Sequence, residues 1–242
     1  MRIETRVPRE IWVGTSGWFY DWNKDKTLDW YILNSKMNTV ELNMSFYRFP
    51  FPNMIKSWSK KGKNIRFSIK VHRRITHLSR FNETAFDYWQ RFSELFLPMD
   101  NIIDFYLFQC PPSFKPDSID RLNKFFERFK KREKFALEFR HKDWFDEKYV
   151  KWARNLGITL VSVSAPGLPE NILKSTGNIY FRFHGRNSWY NYDYSKKELA
   201  EIAQNIVKTK PERIYAYFNN DYMFENAKKF KEIILKKETA DE

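Results

Sequence analysis

The sequence has a single cysteine, Cys110, so no disulfide can form within the chain and no cysteine-rich zinc site can be built. It has no apolar run long enough to cross a bilayer. Its first ten residues, MRIETRVPRE, lack the apolar core of a signal peptide. Together these absences favour a reducing, cytoplasmic setting without a membrane. Cys110 itself precedes two prolines rather than a helix, which predicts a packed thiol.

Several catalytic and cofactor motifs are also absent. The chain has only seven glycines and no Gly-x-Gly-x-x-Gly after its first strand, which argues against a dinucleotide-binding domain. Ser162 and Ser164 are not in a Gly-x-Ser-x-Gly turn, which argues against a serine hydrolase. No repeat and no linker divides the chain, so we predict a single domain over residues 1–242.

Acidic residues are outnumbered by basic ones, 30 against 43, for a net charge of +13. Such an excess favours anionic partners such as nucleic acid, nucleotides or phosphorylated metabolites. The alternative is a lysine-rich surface with no specific partner.

Short apolar runs alternate with longer amphipathic ones, which is typical of β/α units around a parallel sheet. Eight such units in about 250 residues predict a closed (β/α)8 barrel, with an open doubly wound sheet as the alternative. The predicted strands are Ile11–Thr15, Thr39–Asn43, Arg66–Val71, Asp104–Gln109, Phe135–Phe139, Ile158–Val163, Asn178–Phe183 and Arg213–Phe218. The predicted helices are Leu28–Lys36, Asn53–Lys60, Glu83–Phe96, Asp117–Lys131, Asp146–Leu156, Lys196–Val207 and Tyr222–Leu235.

Polar residues concentrate at the carboxyl ends of these strands, which is where the active sites of such barrels lie. Many are spaced by two, so that they share one face of the strand. In YFRFHGR, residues 180–186, Arg182 and His184 share one face while Phe181 and Phe183 take the other. The other strand-end residues are Ser16, Gly17, Trp18, Glu41, Asn43, Lys70, His72, Gln109, Glu138, Arg140, His141, Ser162, Ser164, Asn219, Asn220 and Asp221.

These residue types suggest roles at a common site. Arg140, Arg182 and Arg186 match the oxygens of a phosphate or carboxylate. Glu138 and His184 are the leading acid–base candidates, with Glu41 and Asp221 next. One alternative is a purely structural ion-pair network, in which Lys70, Arg140 and Arg182 neutralise Glu41 and Glu138. A metal site using Glu41, His72, Glu138, His184 and Asp221 is a further alternative, but we predict no metal and no cofactor.

Residues 42–82, termed the basic segment, contain no Asp or Glu. Aromatic residues including Tyr47 are interleaved with its cations, a composition that suits a nucleic-acid backbone with bases stacked on rings. The alternative is that the aromatic residues pack in the core and that Lys60, Lys61 and Lys63 are solvated. Lys70, Arg73 and Arg74 directly follow or end a strand, so there we favour the functional interpretation. A second aromatic group, Trp189, Tyr190, Tyr192 and Tyr194, follows the seventh strand and is predicted to form a wall of the site.

Seven motifs together resemble the YecE-like family, also called domain of unknown function 72. They are GTSGWFYDW, VELNMSFYRFP, FSIKVHRRITH, FQCPPSF, LEFRHKDWF, FRFHGRNSWYNYDYS and YAYFNND, in order along nearly the whole chain. The resemblance implies a TIM-barrel fold and no particular reaction. The sequence departs from the family pattern at two places. The usual glycine is missing after Asp221, and the first loop differs after Trp22.

The resemblance places the family's motif residues at Trp18, Glu41, Asn43, Tyr47, Lys70, Thr76, His77, Gln109, Glu138, Arg140, His141, Trp144, Arg182, His184, Gly185, Arg186, Asn219, Asn220 and Asp221.

The leading hypothesis is an enzyme of hydrolase or phosphodiesterase type, acting on a phosphate-bearing substrate such as nucleic acid or a nucleotide. The alternatives are a nucleic-acid-binding protein without chemistry, and a barrel that isomerises or cleaves a sugar or small acid. The predicted catalytic residues are Glu138, His184, Glu41 and Asp221. The predicted substrate-binding residues are Lys70, His72, Arg73, Arg140, Arg182, Arg186, Asn43, Tyr47, Gln109, Asn219, Asn220, Trp18 and Trp189.

Overall fold

The computed structural model describes residues 10–61 and 64–239. In these residues eight parallel strands close into a barrel, each pairing with the next along the chain and the last pairing with the first. The strands are β1 Glu10–Thr15, β2 Thr39–Leu42, β3 Arg66–Lys70, β4 Ile103–Gln109, β5 Phe135–Glu138, β6 Thr159–Ser164, β7 Asn178–Phe183 and β8 Arg213–Phe218. The predicted (β/α)8 barrel is therefore confirmed, and each predicted strand end lies within one residue of the observed one. Residues 1–9 and Lys63, on which parts of the sequence predictions fall, lie outside the described residues.

The α-helices of the described residues alternate with the strands, except between β6 and β7, where residues 165–177 form an irregular connection. They are α1 Leu28–Asn34, α2 Pro52–Ser59, α3 Glu83–Phe96, α4 Ile119–Phe126, α5 Glu147–Leu156, α6 Lys196–Lys208 and α7 Met223–Thr239. Because each strand is followed by a return to the opposite end, all eight carboxyl ends meet at one end of the barrel. We call that end the mouth.

Local sequence signals set several helix ends. Ser195 caps α6 by a reciprocal capping box with Glu198, and Gly157 ends α5 in the left-handed conformation with φ of 72°. The predicted start of α4 was less accurate, because residues 116–118 form a 3₁₀ turn and Ser118 makes no capping hydrogen bond. α4 also ends at Phe126 rather than Lys131, and the chain then turns so that the ring of Phe129 packs 5.2 Å from that of Phe135.

Aromatic side chains fill the lower part of the barrel. The rings of Phe105 and Tyr215 meet edge to face at 4.9 Å, and Tyr180 packs 4.9 Å from Tyr217 one layer higher. The Tyr217 hydroxyl lies 2.7 Å from Thr39 Oγ1 and 2.8 Å from Ser68 Oγ, so it joins three strands inside the barrel. The interior is thus a packed core at this level, and in barrels of this kind the active site lies at the carboxyl ends of the strands.

Candidate active site

The side chains that face the inside of the barrel become charged one layer above this core. Because side chains alternate along a strand, Glu41 faces inward with Thr39, Lys70 with Ser68, and Arg182 with Tyr180. The same alternation directs Glu138 and Arg140 inward from β5 and His184 inward from β7. We call these six residues, Glu41, Lys70, Glu138, Arg140, Arg182 and His184, the charged cluster.

Arg182 occupies the centre of the charged cluster and is fully buried. Its Nη1 donates to Glu138 Oε2 at 2.5 Å, and its Nη2 donates to Glu41 Oε1 at 2.5 Å. Burial alone would lower the pKa of Arg182, but the two carboxylates more than reverse that effect and raise it. Arg182 is therefore a permanent cation that joins β2, β5 and β7 inside the barrel.

Both oxygens of Glu41 are engaged. Besides Arg182, Oε1 accepts a hydrogen bond from Ser16 Oγ at 2.7 Å, and Oε2 accepts one from the Tyr180 hydroxyl at 2.6 Å. Burial, followed by the charge of Glu41, raises the pKa of Tyr180 well above its ordinary value, which keeps the phenol protonated as a donor. The residue pattern gave Ser16 and Tyr180 no role. For Tyr180 a signal was available, because it lies two residues before Arg182 on β7 and so shares its inward face.

Glu138 is shared between two guanidinium groups. Oε2 accepts from Arg182, and Oε1 forms an ion pair with Arg140 Nε that lacks the angle of a hydrogen bond. Burial would raise the pKa of Glu138, but the charges of Arg140 and Arg182 outweigh it and hold that pKa well below its usual range. Glu138 is thus an anion at neutral pH.

His184 is neutral and has a defined tautomer. Burial, and then the charges of Arg140 and Arg182, lower its pKa well below the ordinary value. Arg140 Nη2 lies 2.9 Å from Nε2 and can only donate, so Nε2 accepts and Nδ1 carries the proton. The Asn219 side-chain amide lies 3.2 Å from Nδ1. With the amide rotated so that its oxygen faces Nδ1, Asn219 accepts this proton. His184 therefore holds Arg140 in place from the β7 side.

Lys70 differs from the other members of the charged cluster, because its amine has no carboxylate partner. The four oxygens of Glu41 and Glu138 face Arg182, Arg140, Ser16 and Tyr180. The amine lies 4.3 Å from the centre of the Phe46 ring and makes no hydrogen bond or ion pair with any described residue. Burial, followed by the charge of Arg182, lowers the pKa of Lys70 from 10.5 to about 7.

Aromatic and imidazole groups line the rim of the mouth. The Trp189 ring lies 4.7 Å from the guanidinium carbon of Arg140 and 5.8 Å from the ring of His184. On the opposite side His77 packs edge-on against Phe46 at 4.9 Å, and burial, followed by the charge of Lys70, lowers its pKa to about 4. Trp189, Tyr190 and Tyr47 keep 39%, 47% and 65% of their surface exposed. The rim therefore presents open ring faces around buried charges. Of the four aromatic residues predicted to form this wall, Trp189 and Tyr190 are exposed at the rim, whereas Tyr194 is fully buried and donates to Ser164, and Tyr192 is bonded to Glu198.

Four buried polar atoms of this region have no hydrogen-bond partner among the described residues. They are Asn43 Oδ1, Glu138 Oε1, Arg140 Nε and Arg182 Nε. Asn43 was predicted to end the second strand on the face of Glu41, but β2 ends at Leu42 and Asn43 has the helical backbone angles that start the following turn. Glu138 Oε1 and Arg140 Nε are paired with each other by charge, so Asn43 Oδ1 and Arg182 Nε are the two of these atoms without a partner among the described residues. Buried polar groups are almost always satisfied, so such exceptions mark a functional site or an absent partner.

Some predicted site residues lie apart from the charged cluster. Trp18 was expected at the site, but it is buried against Trp58 with ring centres 5.5 Å apart, in the core between barrel and helices. Arg186 is held by Glu170 at 2.6 Å and Glu201 at 3.3 Å, so an anion would have to displace carboxylates to reach it. These pairings were missed because the three glutamates that surround Arg186, Glu170, Glu198 and Glu201, lie far from it in the sequence.

Other predicted residues brace the loops at the mouth. Asn220 Nδ2 donates to the Tyr192 carbonyl at 2.6 Å and to Asn226 Oδ1 at 2.8 Å. Asp221 is exposed, and its backbone N–H donates to the Tyr190 carbonyl at 2.8 Å. Their side chains therefore do not join the charged cluster, and the second-rank acid–base role suggested for Asp221 has no contact to support it.

His72 and Gln109 likewise make local contacts. His72 Nδ1 accepts from the Arg74 backbone at 3.2 Å, so its Nε2 carries the proton and lies 3.3 Å from the Tyr47 carbonyl. Gln109 Nε2 donates to the Cys110 carbonyl at 2.8 Å. Cys110 is fully buried and its pKa is raised by burial, which agrees with the predicted packed thiol. Arg73 is exposed beside the rim and keeps its predicted access to an anion.

Within residues 10–61 and 64–239, no group of three or more His, Cys, Asp or Glu side chains is arranged to hold a metal ion. Over the same residues, none of the helices combines the length and the apolar character needed to cross a membrane.

Comparisons with known proteins agree with this architecture. The model of a family described as "Protein of unknown function DUF72" matches residues 12–241. The crystal structure of a DUF72 family protein, TM1631 from Thermotoga maritima, is similar with a TM-score of 0.81 and 27% identity, over 94% of this chain and 100% of that one. The DUF72 family protein EF0366 from Enterococcus faecalis shares the fold with a TM-score of 0.78 at 22% identity, over 93% of this chain and 95% of that one. No curated protein matches the chain.

Proposed function

The chain belongs to the DUF72 family of proteins of unknown function. From the geometry of its mouth, we propose that it is an enzyme acting on a phosphate-bearing substrate, a nucleotide or nucleic acid, by acid–base chemistry. The observation that carries this proposal is the unpartnered amine of Lys70 inside an otherwise paired charged cluster. A structural ion-pair network does not require a further buried cation, and burying one without a partner is costly.

The charge balance supports an anionic substrate. Two carboxylates, Glu41 and Glu138, face two guanidinium groups, Arg140 and Arg182, so protonated Lys70 leaves one excess positive charge at the mouth. Arg140 Nη1 donates to no described residue, while Trp189 covers its guanidinium face. A phosphate oxygen at Nη1 would neutralise the excess charge and favour the protonated amine.

The pKa values support a division of roles in this proposal. Lys70, with its pKa lowered to about 7, exchanges protons at neutral pH. Glu138 stays ionised and His184 stays neutral, so both act by holding Arg140 toward the substrate. The acid–base roles that the sequence suggested for Glu138 and His184 remain predictions that the variants below test.

The basic segment supports a nucleotide or nucleic acid over other phosphates. Its exposed cations Arg73 and Arg74 follow β3, and the exposed rings of Tyr47 and Phe51 follow β2, the neighbouring strand. The guanidinium of Arg74 lies over the ring of Tyr88 at 5.0 Å. Cations with interleaved open rings suit a sugar–phosphate backbone with stacked bases. We include a cytoplasmic setting in this proposal, because the single cysteine is buried and a reducing compartment suits a chain without disulfides.

The same surface supports one second candidate, a nucleic-acid-binding protein that performs no chemistry. That candidate uses Arg73, Arg74 and Tyr47 and assigns no role to Lys70.

The test is turnover of a panel of nucleotides, single- and double-stranded oligonucleotides and sugar phosphates, with products identified by mass spectrometry. We expect Lys70→Met to lose at least roughly a hundredfold of the activity, the usual contribution of one acid–base group. Lys208→Met is the matched control, because Lys208 is exposed at the end of α6 on the opposite side of the barrel. Glu138→Gln and His184→Ala are expected to reduce turnover as well.

Equal turnover by the wild type and Lys70→Met would overturn the proposed role of Lys70. Binding of oligonucleotides without turnover of any panel member would favour the second candidate.

A further inference from the structure

We propose that Lys70 is a nucleophile, whose amine forms an imine with an aldehyde or ketone that also carries a phosphate or carboxylate group. This proposal rests on the proposed function of the mouth, and it narrows the substrate of that site to anionic carbonyl compounds. The position of the Lys70 amine, over an aromatic ring and away from any carboxylate, is the observation that supports it.

Among the described residues, the amine of Lys70 has one neighbour that engages it, the face of the Phe46 ring, and it makes no hydrogen bond or ion pair. Its stem is buried within β3, and the Phe46 ring lies beneath the amine at 4.3 Å. One face is thus closed by an apolar ring, and the carboxylates that would otherwise hold an ammonium group are occupied by Arg182 and Arg140. An amine used only for ion pairing would be expected to lie against one of those oxygens.

The neighbouring charges favour the reactive form of the amine. Burial, and after it the charges of Arg182 and Arg140, lower the pKa of Lys70 to about 7 against the opposing charges of Glu138 and Glu41, so the neutral amine is accessible near pH 7. Desolvation together with a cationic neighbour is a known way to activate a lysine for attack on carbonyl groups.

The anion-binding element lies on the neighbouring side of the mouth. Arg140 presents Nη1, and Trp189 covers its guanidinium face, so a phosphate bound there directs the rest of a small substrate into the charged cluster. The structure therefore combines an anion site with an amine nucleophile, the two features that an anionic carbonyl compound requires.

The step is balanced without an oxidant or reductant. The nitrogen lone pair attacks the carbonyl carbon, and the carbonyl electron pair moves to the oxygen. One proton then passes from the nitrogen to that oxygen, which gives a neutral carbinolamine. Loss of the hydroxyl group with one proton from nitrogen releases water and leaves the carbon–nitrogen double bond. Arg140 stabilises the substrate's anionic group during both stages.

The experiment treats the full-length protein at pH 7 with pyridoxal 5′-phosphate or glyceraldehyde 3-phosphate, followed by cyanoborohydride, which reduces an imine to a stable secondary amine. Peptide mapping by mass spectrometry then locates the adduct and gives its rate of formation at each lysine. The variants are Lys70→Met and, as the matched control, Lys208→Met. Pyridoxal without its phosphate serves as the probe that lacks the anion.

We expect Lys70 to be labelled at least about tenfold faster than Lys208, since a lysine of ordinary pKa is almost entirely protonated at pH 7. Inorganic phosphate should slow the reaction, and pyridoxal should label Lys70 at least about tenfold more slowly than its phosphate ester. Labelling of Lys70 no faster than of exposed lysines would overturn the inference.

The failures of the two proposals are distinguishable. If Lys70 does not react but Lys70→Met still abolishes turnover of the panel, the imine is excluded and the proposed acid–base function stands. Lys70 could also react rapidly while inorganic phosphate does not slow the labelling and the phosphate group of the probe does not speed it. In that case Lys70 is a nucleophile, and a phosphate-bearing substrate is excluded.

Discussion

The guanidinium of Arg182 and the carboxylate of Glu41 meet inside the barrel, with Nη2 2.5 Å from Oε1, although 141 positions separate the two residues in the chain. Both side chains are fully buried. The contact joins β2 to β7, which are not neighbours in the sheet. The charged cluster consequently braces the barrel from within while it forms the floor of the mouth.

Arg182→Met is expected to destabilise the protein by about 3–5 kcal/mol, because it leaves two carboxylates buried without their shared cation. The measurement is the free energy of unfolding from denaturant titration. Arg186→Met is the control, since the ion pairs of Arg186 are partly exposed and should contribute about 1 kcal/mol or less. Equal, small losses in both variants would show that the buried network does not stabilise the fold.

Glu138→Gln is expected to flatten the loss of stability in acid. The pKa of Glu138 in the folded state lies well below its ordinary value of 4.5, so below that pH the unfolded chain binds the proton and the folded chain does not. The contribution of ionised Glu138 to the free energy of unfolding is therefore complete above about pH 4.5, and it is lost as the pH falls toward the pKa of the folded state. The free energy of unfolding, measured from neutral pH into acid, should fall less steeply for the variant than for the wild type. Parallel curves would contradict the assignment of Glu138 as a permanent anion.

Lys70→Met is expected to stabilise the protein at pH 7 while removing its activity. The groups that face the amine are Arg182, Arg140, Glu138 and Glu41, with burial as the largest effect, and together they lower the pKa of Lys70 from 10.5 to about 7. The folded state therefore binds fewer protons than the unfolded state between these two values, and the destabilisation that Lys70 causes is complete below about pH 7 and disappears above 10.5.

The expected gain at pH 7 is roughly 4 kcal/mol, since the pKa falls from 10.5 to about 7 and one pKa unit corresponds to about 1.4 kcal/mol. It should shrink as the pH rises toward 10.5, the ordinary pKa of the amine. Lys208→Met should change stability little at any pH. A loss of stability in Lys70→Met at neutral pH would mean that the lysine is a structural member of the network.

The sequence alone was sufficient for the barrel and for most of the charged cluster, because both depend on period-two alternation. Glu138, Arg140, Arg182 and His184 are spaced by two at the ends of predicted strands, and the structure brings them together. The same alternation does not determine which side chains pair. The sequence therefore did not reveal that Arg186 turns to Glu170, or that Lys70 lacks a carboxylate, since both outcomes depend on loops and on contacts between distant strands.

The misplacement of Trp18 has a similar cause. The residues after β1 enter a loop in which Gly17 has a φ of 100°, so strand alternation no longer applies beyond Ser16. Ser16 faces Glu41, whereas the chain reverses at Gly17 and directs Trp18 onto Trp58. A positive φ at a strand end is not visible from the residue pattern alone.

Gly185→Ala is expected to be more damaging than Gly167→Ala, although both glycines have a positive φ. A Cβ at Gly185 would lie 2.1 Å from the Ser188 carbonyl oxygen, whereas one at Gly167 meets nothing within 4 Å. Gly167→Ala should cost roughly 1–2 kcal/mol from backbone strain alone, and Gly185→Ala should cost more and displace Trp189 from Arg140. Thermal unfolding and Trp189 fluorescence measure the two effects, and equal losses would contradict the reading of the β7 loop as rigidly packed.

Charge reversal of Arg73 and Arg74 is expected to weaken binding of single-stranded oligonucleotides and to reduce the slope of log affinity against log salt by about two. The control is Lys208→Glu with Lys210→Glu, which changes the charge equally at the opposite end of the barrel. Fluorescence anisotropy over a range of salt concentrations measures both. An unchanged slope would show that the basic segment does not contact phosphates.

The most direct measurement is an NMR titration of lysine side chains in protein carrying ¹³C-labelled lysine, with the Lys70 signal assigned by its loss in Lys70→Met. One signal titrating near pH 7, which moves upward when inorganic phosphate is added, is the predicted result. A Lys70 signal that titrates near 10.5 with the other lysines, and ignores phosphate, would contradict the claim that an unpaired amine at the mouth is the working group of this protein.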